Sequence, residues 1–408
     1  MFRGLHIAHF MIFFILIIFF NNLMNEKTMN DQNQFQNQAR KDEIKLFLCG
    51  DVMTGRGVDQ ILPQSVDPQL YESYVKDARD YVILAERENG SISQPVSYDY
   101  IWGDALEIWK KANPDFRIIN LETSITTHDD PWPAKTVNYR MHPDNVKVLA
   151  TAKTDFCSLA NNHSMDWGIA GLLETMETLE EAEIPYGGAG RNLQRASQPM
   201  ILNMGENRVI MVCYGSETSG IPASWEASGE RSGLNLIKTP DKKHIAGIAK
   251  QILSLKQKGD IVVFSIHWGS NWGYHIPERQ KEFARLLIDE AGVDIVHGHS
   301  SHHPIGIEVY KDKLILYGAG DFINDYEGIS GYENYRDDLS LMYFPVIDPE
   351  DGKLLDMRLY PMQIKNIKLN RASEADAKWL MERLNKEGMK LGTKFTLEQD
   401  KSMSMAWY

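Results

Sequence analysis

The sequence predicts an α/β fold, in which strands and helices alternate along the chain. Short runs rich in β-branched residues, such as 260–266 (DIVVFSI), are separated by segments of helical character, such as 277–291. Several of these runs end directly in polar residues or glycine. Ligands of open α/β sheets bind at the carboxyl ends of the strands. We therefore expect the chemistry of this protein to lie at one edge of a sheet.

Apolar periodicity and β-branched content place the elements in order along the chain. Strands are predicted for residues 44–48, 116–121, 155–159, 199–202, 209–214, 260–266, 293–297, 308–310, 314–316, 341–347 and 354–359. Helices are predicted for residues 105–111, 144–152, 169–183, 241–256, 277–291 and 374–387. The last two strands are expected to form an antiparallel pair, followed by the final helix.

The amino-terminal region differs from the rest in composition. Residues 7–20 are apolar apart from His9, carry no Asp, Glu, Lys or Arg, and follow a single positive flank at Arg3. We interpret residues 1–22 as a retained signal anchor, since no small-x-small cleavage site follows; a cleaved signal peptide is the alternative. The polar residues 23–43 predict a disordered linker. Residues 44–330 then form the main domain, and 331–408 complete it with strands and a helix.

Overall composition limits the classes of partner. The 408 residues include 43% apolar and 24% charged residues, which is typical of a globular protein. The net charge of −13, without any basic run, argues against nucleic-acid binding. Three cysteines without CxxC spacing (Cys49, Cys157 and Cys213) lie in or beside apolar runs, so we expect buried thiols.

Metal-ligating residue types follow several of the predicted strands. They are Asp51 after 44–48, Glu122 after 116–121, Asn162 and His163 after 155–159, and His267 after 260–266. Each alone is more commonly a turn or capping residue, and Asp166 is expected to cap the helix 169–183. Together they supply oxygen and nitrogen donors, which suit Mn, Fe or Zn better than Ca or Mg. A site for one or two such ions is the resulting hypothesis.

A cluster of four histidines follows the predicted strand 293–297. It comprises His297, His299, His302 and His303. Because the apolar run breaks at Gly298, we expect the cluster to lie on a loop at the strand's carboxyl end. Imidazole is the commonest metal ligand in proteins. A His-rich surface loop without metal is the alternative.

Five ordered motifs extend this interpretation. They are GDVMTGR (50–56), INLETSIT (119–126), LANNHSMDWG (159–168), SIHWG (265–269) and the 298–322 segment that begins GHSSHHP and ends LYGAGDF. In this order they resemble the bacterial capsule-synthesis CapA family, which is similar to calcineurin-like metallophosphoesterases. The resemblance covers residues 44–325. It implies a four-layer α/β/β/α sandwich with a dinuclear metal centre at the strand ends.

The resemblance also implies individual roles. Metal ligands would be Asp51, Glu122 as the bridging carboxylate, Asn162, His267, His299 and His302, with His297 and His303 as substitutes for His302. His163 would be the general acid or transition-state stabiliser. The chain departs from the metallophosphoesterase pattern at Met53, which stands at a ligand histidine, and at His302, which is displaced by one position. Asp321 is given only a supporting role.

Three functions remain open at this point. The resemblance implies a membrane-associated protein of capsule or poly-γ-glutamate synthesis or export, with the main domain outside the cytoplasmic membrane and a polymer synthase complex as partner. A metal-dependent phosphoesterase acting on a cell-envelope intermediate is the second. A non-catalytic scaffold of the polymer synthesis complex is the third. The acidic net charge does not favour simple electrostatic capture of a polyanion.

Overall fold

The structure is a computed structural model that describes residues 41–408. The predicted anchor at 1–22 and nearly all of the predicted linker at 23–43 lie outside these residues. The main compact unit comprises Asp42–Leu202 and Val209–Tyr408, and Asn203–Arg208 belong to a second, small unit. Within the described part of the chain, no helix has the length and apolar character needed to cross a membrane.

The strands are numbered here in chain order. They are β1 (Ile44–Val52), β2 (Phe116–Leu121), β3 (Ser124–Ile125), β4 (Arg140–Met141), β5 (Phe156–Ser158), β6 (Tyr186–Gly187), β7 (Ala189–Gly190), β8 (Met200–Met204), β9 (Asn207–Ser216), β10 (Gly233–Leu234), β11 (Leu236–Ile237), β12 (Asp260–His267), β13 (Ile295–His299), β14 (Ile307–Tyr310), β15 (Lys313–Leu316), β16 (Asp321–Ile323), β17 (Leu339–Ile347), β18 (Leu354–Ile364), β19 (Leu369–Arg371), β20 (Thr393–Leu397) and β21 (Met403–Trp407).

The α-helices are numbered in the same way. They are α1 (Arg56–Ile61), α2 (Arg79–Asn89), α3 (Ala105–Ala112), α4 (Lys147–Thr151), α5 (Gly168–Glu181), α6 (Leu193–Ala196), α7 (Ile245–Leu253), α8 (Glu278–Ala291) and α9 (Glu374–Gly388). Short 3-10 helices are Tyr100–Trp102, Pro143–Val146, Glu217–Ser219, Ala223–Trp225 and Lys242–His244.

The larger sheet combines parallel and antiparallel strands. Its order is β20-β21-β18-β17-β1-β2-β5-β6, with β16 paired to β1 and β19 paired to β18. Strands β1, β2, β5 and β6 are parallel, and β17 joins β1 antiparallel. Parallel strands end at the same edge, so β1, β2 and β5 present their following residues together.

The second large sheet has the order β11-β9-β12-β13-β15-β14, with β8 paired to β9. Strands β12, β13 and β15 are parallel, and β14 returns antiparallel to β15. The parallel pairing of β12 and β13 continues as far as His267 opposite His299. Its strand ends therefore bring two candidate ligands side by side.

Each large sheet has a helical layer packed on it. Phe47 and Cys49 of β1 lie in a buried cluster with Trp102 and Trp109, from the helical segments that precede β2. In the second sheet, Phe264 packs with residues of α7 and α8. Alternate strand residues point to opposite faces of a sheet, so each sheet has a second face turned away from these helices. The two sheets meet where β1 contacts β13, and there His297 Nε2 lies 2.6 Å from the Cys49 carbonyl oxygen.

Most of the predicted elements are confirmed. The strand 116–121 is found with the predicted bounds, the α8 helix differs by one residue, and both the β14–β15 hairpin and the β17–β18 pair are present. The α7 helix is shorter than the predicted 241–256, because Asp241 instead accepts a hydrogen bond from the Lys243 backbone and starts a 3-10 turn. Strands β20 and β21 were not predicted.

One correction changes the position of the histidines. The apolar run was expected to end as a strand at 297, with a loop from Gly298. Instead β13 continues to His299, because its parallel hydrogen bonds with β12 keep the backbone extended through Gly298. A Cβ at Gly298 would lie 2.5 Å from the Tyr317 carbonyl oxygen, so only glycine fits this approach of two strands. His297 and His299 are consequently strand residues.

Candidate metal centre

The first group of candidate ligands comprises Asp51, His267 and His299. One donor atom from each lies within 4.8 Å of the other two, and all three residues are buried. Asp51 comes from β1, whereas the two histidines end the paired strands β12 and β13. The group is thus assembled from both large sheets, at the edge where the parallel strands end.

The two histidines belong to a chain of hydrogen bonds. Ser265 Oγ lies 2.9 Å from His299 Nε2, the two Nδ1 atoms of His299 and His267 are 2.8 Å apart, and His267 Nε2 lies 2.9 Å from Asn162 Oδ1. Burial lowers the pKa of both imidazoles well below the usual value, so they are neutral. Neutral rings satisfy every contact when Ser265 donates to His299, His299 to His267, and His267 to Asn162.

A second group shares Asp51 and adds His302 and Asp321. His302 Nδ1 lies 2.9 Å from Asp321 Oδ1, and Asn271 lies 2.8 Å from His302 Nε2. Burial lowers the pKa of His302, but the Asp321 carboxylate opposes this effect and raises the pKa overall. Asp321 stands opposite Asp51 in the β1–β16 pairing. That pairing depends on Gly50, since a Cβ there would lie 1.5 Å from the Gly320 carbonyl oxygen.

Asp51 and Glu122 are two buried carboxyl groups that lie close together at the donor groups. Asp51 Oδ1 accepts a hydrogen bond of 2.7 Å from Asn120, whereas Oδ2 is buried without a hydrogen-bond partner among residues 41–408. Burial raises the pKa of Asp51 to about 7. Burial, followed by the nearby Asp51, raises the pKa of Glu122. Glu122 Oε1 lies 3.8 Å from His267 Nε2.

These residues fit a divalent cation. An unpartnered buried carboxylate oxygen costs free energy that a positive charge would recover. The donors around it include two further carboxylates, an amide oxygen and several imidazoles, which is the mixture that Mn, Fe and Zn accept. The residues that converge are Asp51, Glu122, Asn162, His267, His299, His302 and Asp321.

His163 lies beside the donor groups with its ring firmly held. Its Nδ1 is 2.6 Å from Asp166 Oδ2, its ring stacks on Tyr139 at 3.8 Å, and its Nε2 faces Glu122 Oε1 at 3.9 Å. Burial lowers the pKa of His163 to about 4, although Asp166 acts in the opposite direction. Asp166 was predicted to cap α5, but the helix begins at Gly168 without a side-chain cap. The Asp166 carboxylate instead binds His163, Lys135 and the Tyr139 backbone N–H.

Two of the predicted histidines belong to neither donor group. His297 Nε2 contacts the Cys49 carbonyl oxygen between the sheets, and burial lowers its pKa to about 4. His303 Nε2 accepts from the Gly273 N–H, and its ring stacks on Tyr335. The structure therefore joins His299 and His302, but neither His297 nor His303, to Asp51.

Sequence analysis gave Asp321 only a supporting role and did not identify Lys135 or Asn120. A signal for Asp321 existed, because it follows Gly318-Ala319-Gly320 and begins an apolar strand, as Asp51 follows Gly50. Asn120 precedes Glu122 in the INLET motif and orients Asp51. Lys135 stands in an irregular loop between β3 and β4, where no periodic pattern points to it.

Comparisons with known proteins agree with the ordered motifs. The family model described as "Bacterial capsule synthesis protein PGA_cap" matches residues 45–326. A Mycobacterium tuberculosis protein named "Probable polyglutamine synthesis accessory protein" is 45% identical over 88% of this chain and 95% of its own length. The "Capsule biosynthesis protein CapA" of Bacillus anthracis is 26% identical over 74% of this chain and 64% of its own. A solved phosphatase structure from Mycoplasma pneumoniae covers 80% of this chain and 95% of its own, at 11% identity and a TM-score of 0.45.

Proposed function

The chain belongs to the bacterial capsule synthesis protein family, and from that premise we propose that it is a metal-dependent hydrolase in the synthesis or export of an anionic envelope polymer. The relatives' names, which refer to capsule and polyglutamine synthesis, favour a polymer of the poly-γ-glutamate type. The proposed reaction is of the phosphoesterase type, acting on a phosphoester or on a cell-envelope intermediate. The two sheets with outer helices are compatible with the metallophosphoesterase sandwich.

The observation that carries this proposal is the position of Asp51. Its carboxylate is shared by two groups of buried donors, and one of its oxygens has no hydrogen-bond partner among the described residues. Asp51, His267 and His299, with Asn162, would hold one ion; Asp51, His302 and Asp321 would hold the other. Glu122, whose Oε1 lies 3.8 Å from His267 Nε2, would supply a further carboxylate. Bound divalent ions would supply Lewis-acid activation of water and neutralise developing negative charge.

A residue of the protein itself, His163, would supply the proton that the leaving group needs. His163 is fixed at Nδ1 by Asp166 and on its ring face by Tyr139, so Nε2 is the atom that exchanges a proton. A substrate anion beside Nε2 would raise the pKa of His163, because it favours the charged imidazolium. His163 would then donate that proton to the leaving oxygen.

Hydrolysis can be tested on the full-length chain. We expect the protein stripped with EDTA to hydrolyse p-nitrophenyl phosphate only after Mn, Fe or Zn is restored. His163→Gln should reduce kcat by about 100-fold or more while metal content stays the same. His275→Gln, at an exposed histidine, is the matched control and should retain full activity. Equal activity of the His163 variant and the wild type would refute the role of His163.

A non-catalytic scaffold remains the second candidate, and Met53 favours it. Met53 is buried and apolar where metallophosphoesterases carry a ligand histidine. Stoichiometric metal binding without hydrolysis of p-nitrophenyl phosphate or of an envelope phosphoester would support this alternative over the hydrolase.

The membrane location is proposed from residues 1–22 alone. Their apolar run would anchor the chain, with the metal-binding domain outside the cytoplasmic membrane and beside a polymer synthase complex. Fractionation of cells that express the chain with and without residues 1–22 tests this location. Recovery of both forms from the soluble fraction would contradict it.

A further inference from the structure

Lys135 reaches the candidate metal centre from a loop between β3 and β4. The loop is attached at its start by Glu174, which accepts from Thr127 N at 3.0 Å. Further along, Trp132 N donates to the Asp166 carbonyl oxygen at 2.7 Å. Lys135 follows, between the exposed Ala134 and Thr136, and its side chain is only 17% exposed. The loop thus delivers one cation to the turn that carries Asn162 and His163.

The ammonium group of Lys135 has three close neighbours on this turn. Its Nζ donates to the Asn162 carbonyl oxygen at 2.5 Å and to Asp166 Oδ1, and it lies 3.1 Å from His163 Nδ1. His163 Nδ1 donates its proton to Asp166 and so cannot also accept from Lys135. The lysine therefore makes two hydrogen bonds on this turn, to Asn162 and Asp166, and only packs against the imidazole.

Two functional side chains depend on this contact. Asn162, whose backbone carbonyl binds Lys135, presents its own Oδ1 to His267 Nε2 at 2.9 Å. His163, whose Nδ1 faces Lys135 and Asp166, presents Nε2 to Glu122. We propose that Lys135 is a positioning residue, which holds Asn162 as a metal ligand and the His163 ring in its working orientation. This inference rests on the proposed metal-dependent function and adds a residue to it.

Lys135 could instead serve only to neutralise the buried Asp166. Lys256 provides the comparison, because it makes the same two kinds of contact at a distant place. Its Nζ donates to the Gly292 carbonyl oxygen at 2.7 Å and to the buried Asp294 at 2.7 Å. No candidate ligand touches that pair. Removing each lysine therefore separates a structural effect from an effect on the metal centre.

The first test uses the full chain labelled with ¹⁵N-histidine, without added metal. The ring signals of His163 are identified by their loss in His163→Gln. In Lys135→Met these signals should shift, whereas in Lys256→Met they should not. Unchanged His163 signals in Lys135→Met would overturn the proposal. Because neither metal nor activity is needed, this result is independent of whether the protein is a hydrolase.

The second test measures Mn²⁺ binding by titration calorimetry. Lys135→Met should bind Mn²⁺ about 10- to 100-fold more weakly, as is typical when a group supporting a metal ligand is lost. Lys135→Arg should recover most of the affinity, and it also serves if Lys135→Met fails to fold. Wild-type affinity in Lys135→Met would refute the positioning role. A wild-type chain that binds no divalent ion would refute the proposed function, and the ring signals would still decide the role of Lys135.

Discussion

Replacing Asp51 by Asn should remove most of the stabilisation that a divalent ion gives the folded protein. Asparagine keeps the size of the side chain and the oxygen that accepts from Asn120 at 2.7 Å. It removes the charge, and it turns the unpartnered Oδ2 into an amide nitrogen that cannot bind a cation. Since Asp51 belongs to both donor groups, both lose affinity together.

The size of the effect follows from mass action. With free ion at 1,000 times the Kd, binding raises the free energy of unfolding by about 4 kcal/mol. If the loss of one charged ligand weakens binding about 100-fold, the same ion concentration is only ten times the new Kd and contributes about 1.4 kcal/mol. For a chain of this length the wild-type melting temperature should rise by about 5 °C, and that of the variant by about 2 °C.

The assay is thermal unfolding with EDTA and with Mn²⁺, for wild type, Asp51→Asn and Asp59→Asn. Asp59 is an equally buried carboxylate, but it accepts from the backbone of Val66 and His142 and belongs to neither donor group. Asp59→Asn should therefore keep the full Mn²⁺ shift. The reasoning fails if wild type shows no shift with Mn²⁺, Fe²⁺ or Zn²⁺, or if Asp51→Asn keeps the wild-type shift.

Three further predictions concern the surroundings of the site. Gly50→Ala should abolish Mn²⁺ binding and strongly destabilise the fold, because the added Cβ would lie 1.5 Å from the Gly320 carbonyl oxygen. Gly229→Ala, with open space around it, should leave the affinity measured by calorimetry unchanged. Equal Mn²⁺ affinity of the two variants would contradict the close approach of backbone at Gly50. His302→Gln should weaken Mn²⁺ binding at least about tenfold, because His302 belongs to the second donor group. His297→Gln should not weaken it, since His297 contacts the Cys49 carbonyl oxygen instead. Equal losses of affinity would show that the second donor group is wrongly assigned. Asp59, whose pKa burial raises from 3.8 to about 7, holds a proton in the folded state that the unfolded chain releases, so its contribution to stability is lost as pH rises through 7. Asp59→Asn should reduce that decline by up to about 4 kcal/mol in urea unfolding between about pH 4 and pH 8, and an unchanged slope would refute the assignment.

Local pattern was sufficient for the strands and for most of the donors. Residues 116–121 (FRIINL) form a largely apolar run with two isoleucines, and the strand appears with those bounds. Asp51, Glu122, Asn162 and His267 could be found because each lies at or just beyond the end of an apolar run, and the edge of a parallel sheet collects such residues. Residue type and order along the chain thus determined the family and the chemistry of the donors.

Tertiary structure decided which donors meet. Four histidines occur within seven positions, and only the pairing of β13 with β12 turns His299 toward His267 while its neighbour His297 points at β1. Every second residue of a strand lies on the same face, but β13 ends at His299. The positions of His302 and His303 therefore depend on the backbone turn that follows the strand. Lys135 and Asp321 reach the site through a loop and through the β1–β16 register. Such long-range contacts depend on how separate segments pack, and no local period in the sequence encodes that packing.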